Sequence, residues 1–125
     1  KLLSHNLDFV SALICNGHFV HEHIPSFNPY SNLNAQTYDD DSELHSISID
    51  SEGLVEVDYT GAIALMSKKV CKLGRFDYST FGEDLPFCQS LQRSNIKLYC
   101  DTSTRATHCM NEELLQKYLG GNFLF

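Results

Sequence analysis

Residues 44–66 read LHSISIDSEGLVEVDYTGAIALM, and the period of this stretch decides the fold class. Ile47 and Ile49 alternate with Ser46, Ser48 and Asp50. After the turn residues Ser51, Glu52 and Gly53, Val55, Val57 and Tyr59 alternate with Glu56 and Asp58. A period of two marks a strand with one apolar and one wet face. Thr60 and Gly61 turn the chain again. Ala62 to Met66 is a nearly continuous apolar run and Val70 to Phe76 a mixed one, both read as strands. Strands separated by such short turns should pair with their neighbours as an antiparallel meander.

Working outward, Asp84 is placed to cap a helix from Leu85 to Arg93, with Pro86 in its first turn. Ile96, Leu98 and Cys100 alternate with Lys97 and Tyr99 as a further strand. Asn111 is a good N-cap, and Glu112 and Glu113 suit the positive end of a helix dipole. Leu114, Leu115, Tyr118 and Leu119 then form the stripe expected to be buried, and Gly120-Gly121 ends the helix.

Toward the N-terminus, Leu3, Leu7, Val10 and Ile14 have the spacing of one helix face, stopped by Asn16-Gly17. His18 to Ile24 reads as a short strand ended by Pro25. Residues 25–43 carry Pro29, several amides and the triplet Asp39-Asp40-Asp41, and keep neither period. The expectation is one α+β domain over residues 1–125. An antiparallel sheet of about five strands carries an N-terminal and a C-terminal helix packed on it, with a long irregular acidic loop at 25–43.

The 125 residues are 42% hydrophobic and 20% charged, an ordinary globular balance that needs no metal or disulfide for a core. No apolar run reaches the ~18 residues of a membrane span, so no membrane partner is expected. A net charge of −7 argues against nucleic acid as a partner. The chain opens on Lys1 and shows no signal-peptide pattern, as a processed, trimmed or excised chain would. It has no Asn-x-Ser/Thr acceptor. Cysteines at 15, 71, 88, 100 and 109 allow at most two internal disulfides. That density leans toward secretion, with buried free thiols in a cytoplasmic chain as the alternative.

The densest constellation is Cys15, His18, His21 and His23. Zinc takes thiolate and imidazole ligands, and on a strand His21 and His23 would share a face. Cys100 or His108-Cys109 could supply a second half-site, although no usual finger spacing is present. The same histidines, with Glu22, could run acid–base chemistry. Against these stands a histidine-rich exposed strand beside one buried cysteine. No phosphate-binding glycine loop occurs, since Gly120-Gly121 follows a helix. Lys68, Lys69, Lys72 and Arg75 form the one basic cluster, read as a solvated face.

Phe27, Tyr30 and Tyr38 stand in the acidic 25–43 segment beside Asp39, Asp40 and Asp41. Aromatic rings on a polar loop bury large areas at little entropic cost when a partner docks. The expected function is therefore recognition of another protein through this loop and a sheet edge, without catalysis and without a cofactor. The alternatives are a secreted, disulfide-containing effector acting on a host protein and a small zinc- or histidine-dependent hydrolase.

Overall fold

The computed structural model describes residues 1–16, 33–48, 53–108 and 112–119. A 3-10 turn at Leu2–His5 precedes β1 (Phe9–Asn16), and β2 (Gln36–Tyr38) and β3 (Leu44–Ser46) follow. Next come β4 (Leu54–Val57), β5 (Ala64–Met66), α1 (Lys68–Leu73), α2 (Asp84–Arg93), β6 (Leu98–His108) and α3 (Glu112–Leu119). The architecture is α+β, but the sheet is not an antiparallel meander. Four strands lie in the order β4-β6-β1-β5, and β2 and β3 form a separate hairpin. β1 and β6 pair in parallel, while β4 and β5 flank them antiparallel. The sequence pattern found β3, β4, β5 and the start of β6. It could not say that β4 and β5 each pair with distant partners instead of with each other.

The expected N-terminal helix is a strand from Phe9 onward. Residues 9–15, FVSALIC, are buried at every position, so both parities of the strand are apolar and the pattern fits a helix as well as a strand. Burial on both faces is the signature of a central strand, and the β-branched and aromatic residues Phe9, Val10 and Ile14 favour it. Phe9, Leu13 and Cys15 join one core, and Val10, Ala12 and Ile14 are buried on the other face.

The core face is covered by α2, which contributes Phe87, Cys88 and Leu91, with Val70 from α1 beside them. They pack with Val57 of β4 and with Leu98 and Cys100 of β6. The covering role expected of the C-terminal helix therefore falls to α2. The helix at 112–119 is present, but Leu115 and Leu119 of its expected buried stripe are 38% and 67% exposed. Asn111, its expected cap, lies outside the described residues. Val70 to Phe76, expected as a strand, begins as α1. The Ser67 hydroxyl accepts the Val70 amide at 3.3 Å and caps it, and only Val70 of that helix is buried.

The segment 33–38, expected to be irregular, is part of the sheet system. Leu33 bridges to Cys15, and Leu33, Asn34 and Ala35 are all buried. Asn34 explains why a polar residue sits there. Its Oδ1 accepts the Ile14 amide at 2.7 Å, and its Nδ2 donates to the carbonyls of Ala12 at 3.0 Å and Gly61 at 2.9 Å. The β1–β6 register slips between Ala12 and Leu13. On the opposite edge of β1, pairing with β5 ends at Ser11 and Leu33 bridges to Cys15, so the Asn34 side chain completes the ladder between the two. The Thr60 hydroxyl lies 3.3 Å from Nδ2 and donates to Ser11 Oγ at 2.8 Å, extending the buried polar network.

The same slip loops out residues 102–104 of β6, and Asp101 holds that loop. It accepts the Ser103 amide and hydroxyl, the Thr104 hydroxyl and His5 Nε2. Burial alone would raise its pKa, but these hydrogen bonds outweigh it and hold the carboxyl well below the usual range.

Candidate functional site

A groove of about 590 Å³ opens beside the hairpin. Its lining comes from three places: Gln36, Tyr38, Ser42, Glu43 and Leu44 of the hairpin, Tyr59 after β4, and Phe81 and Leu85 around the start of α2.

Asp39 shapes the hairpin wall. The Asp39 amide donates to the Glu43 carbonyl at 2.9 Å, and Asp39 Oδ1 accepts the amides of Asp41 and Glu43, each at 2.9 Å. Ser42 closes the turn in the left-handed region at φ 64°. This is a short hairpin loop with an aspartate in place of the missing backbone partners. Backbone hydrogen bonding, led by that from Glu43, lowers the Asp39 pKa, and His45 at 2.7 Å from Oδ2 adds to it. Asp58 ties this wall to the helix. One oxygen accepts the Tyr38 amide at 2.9 Å, and Gln92 of α2 donates to the other at 3.3 Å.

Phe81 and Leu85 make the opposite wall, behind which Phe87 belongs to the core. A Cβ on Gly74 would collide with the buried Phe87 ring, so that position needs glycine. Phe76 stacks on the Phe87 ring, with centroids 4.3 Å apart. The chain then turns at Ser79–Gly82. Ser79 Oγ donates to the Gly82 carbonyl at 2.6 Å and accepts the Phe81 amide at 3.2 Å, and Gly82 has φ +89°. The turn leaves Phe81 77% exposed, and it lines the groove together with Tyr38, which is 40% exposed.

The margin is acidic. Glu43 lines the groove itself, and Asp39, Asp40, Asp41, Asp58, Glu83 and Asp84 are its neighbours in the three lining segments. Burial, and then the charge of Glu83, raises the Asp84 pKa, and burial followed by Asp84 raises that of Tyr59.

Of the residues expected from sequence to bind, Tyr38 lines the groove, and Asp40 and Asp41 are exposed at the hairpin tip beside it. Asp39 has a turn-forming role. Phe27 and Tyr30 lie outside the described residues, as do His18, His21 and His23 of the expected metal set. Cys15 of that set is buried in β1, where Asn16 pairs with His108 in register. Strand alternation then puts Cys15 and the exposed His108 on opposite faces, so they do not form a half-site together. Cys100 pairs with Ser11, toward the other end of β1.

A different triple, Asp39, Glu43 and His45, brings its donor atoms within 4.8 Å of one another. All three residues are exposed, and both Asp39 oxygens are already engaged by the turn and His45. Cys71, Cys88 and Cys100 carry free thiols, and Cys109 lies outside the described residues. Burial pushes the Cys88 and Cys100 thiols up to about 11, so both are protonated and weakly nucleophilic at neutral pH. The basic cluster Lys68, Lys69 and Lys72 lies on α1, with Lys69 paired to Asp8 at 3.4 Å.

Sequence reasoning missed Tyr59, Phe81 and Leu85. The clue for Phe81 was the stretch 76–81, FDYSTF, which carries three aromatic residues outside any apolar period. No known family model matches the chain, and no curated protein matches it in sequence.

Proposed function

We propose that this chain is a recognition unit that binds another protein, in extended form, along the groove between the hairpin and the start of α2. One observation carries the reading: Tyr38, Tyr59 and Phe81 come from three separate segments to one concavity, and two of them are exposed. Exposed rings on fixed backbone lose little entropy on binding and bury much area, which is the profile of an interface anchor. The position supports it further: β4 runs through Asp58 into Tyr59, whose backbone pairs with Gln36, so the groove lies where the four-stranded sheet meets the hairpin.

Selection from a displayed peptide library tests the reading. Peptides enriched on the wild-type chain should lose binding to the Tyr38→Ala/Phe81→Ala double variant, whose melting temperature should stay within about 2 °C of wild type, as surface changes do. Enrichment that is indifferent to both rings would remove the groove from the function.

A further inference from the structure

We infer that the occupant of this groove is a cationic peptide segment, one that places an apolar side chain between Tyr38 and Phe81 and lysines or arginines against the acidic margin. The inference rests on the reading of the groove as a protein-binding surface and adds the chemistry of the partner. Seven carboxylates stand in the segments that line the groove. Two are occupied: Asp39 by its own turn and His45, and Asp58 by the Tyr38 amide and Gln92. Of the rest, Glu43 lines the groove, Asp40, Asp41 and Glu83 are exposed in its flanking segments, and Asp84 is half-buried with its carboxylate against Gly61. Among the described residues no lysine or arginine makes an ion pair with any of the seven; the lysines that do pair join Lys69 to Asp8 and Lys97 to Glu56.

Like charges gathered around the groove repel one another; at Asp84, where burial is the larger cause of the raised pKa, the charge of Glu83 adds to it. A cation entering the margin relieves that repulsion, whereas an anionic partner adds to it. Electrostatic complementarity therefore selects the sign of the partner, and the rings supply the anchor.

The test is a chemical-shift titration of the full chain with three capped pentapeptides: Lys-Leu-Lys-Phe-Lys, Ser-Leu-Ser-Phe-Ser and Glu-Leu-Glu-Phe-Glu. The cationic peptide should move the amides of Tyr38, Ser42 and Phe81 and bind about tenfold more tightly than the serine peptide, with the glutamate peptide weakest. The Asp40→Asn/Asp41→Asn/Glu43→Gln variant should lose about tenfold for the cationic peptide and almost nothing for the serine peptide. Raising salt should mimic that loss in wild type. Equal binding of all three peptides at these amides, abolished by Phe81→Ser, would overturn the cationic partner and leave the groove reading standing. Shifts elsewhere, or binding indifferent to Phe81→Ser, would overturn both. If no peptide binds, the inference about charge fails, and the library selection judges the groove.

Discussion

Asn34 and Asp39 lie close together in sequence and do similar work in opposite surroundings. Each uses its side chain to satisfy backbone groups that have no other partner. Asn34 is 5% exposed and bonds to β1 and to the turn at Thr60 and Gly61, while Asp39 is exposed and bonds within its own hairpin. Water can replace Asp39 when it is removed, and it cannot reach the groups that Asn34 serves. One residue therefore holds the fold together and the other shapes a surface, although the sequence writes both as polar residues in an irregular segment.

The sharpest way to break this comparison is Asn34→Leu. It leaves the Ile14 amide and the Ala12 and Gly61 carbonyls without their partner, and should cost about 3–5 kcal/mol, read as a fall in the urea midpoint at unchanged slope. Asn34→Asp should be nearly as damaging at pH 7, since a carboxylate accepts the Ile14 amide but cannot donate to either carbonyl. A loss under about 1 kcal/mol for the leucine variant would show that water reaches the site.

Asp101 extends the comparison to a buried carboxylate. Its folded pKa lies below its unfolded one, so its stabilising effect is fully present above about pH 5 and is lost as pH falls through the folded value. Asp101→Asn should cost about 2 kcal/mol at pH 7 and progressively less under acid. Denaturant midpoints measured from pH 7 to pH 2 should converge for the two proteins.

Asp39→Ala should be milder. Amide exchange at Asp41 and Glu43 should quicken while protection across β1 stays as it was. A global loss of protection would mean that the hairpin and the four-stranded sheet unfold as one unit. The smallest effect is expected from Ser42→Gly, which relieves a left-handed residue and should gain about 0.5–1 kcal/mol in thermal unfolding.

The strands at 44–46, 54–57 and 64–66 and the first residues of β6 at 98–100 were legible because each keeps a period of two or a short apolar run, and α2 because Asp84 and Pro86 suit a helix start. Pairing was not legible. The partner of Val55 is Cys100, and no local signal carries that fact. β1 was misread because a strand buried on both faces loses its alternation. Of the groove, Tyr38 could be named in advance because an aromatic residue in an acidic loop stands out. Tyr59 was assigned to a strand face, and Phe81 takes its meaning from Ser79 and Gly82 turning it toward a hairpin distant in sequence.

The parallel contact of β1 with β6 sets a condition on how this molecule is made. On the ribosome, residues 9–16 emerge ahead of residues 98–108; β5 can pair with one edge of this apolar ribbon, but its other edge waits for β6. Synthesis that halts before β6 would leave that edge of the central strand open to other chains.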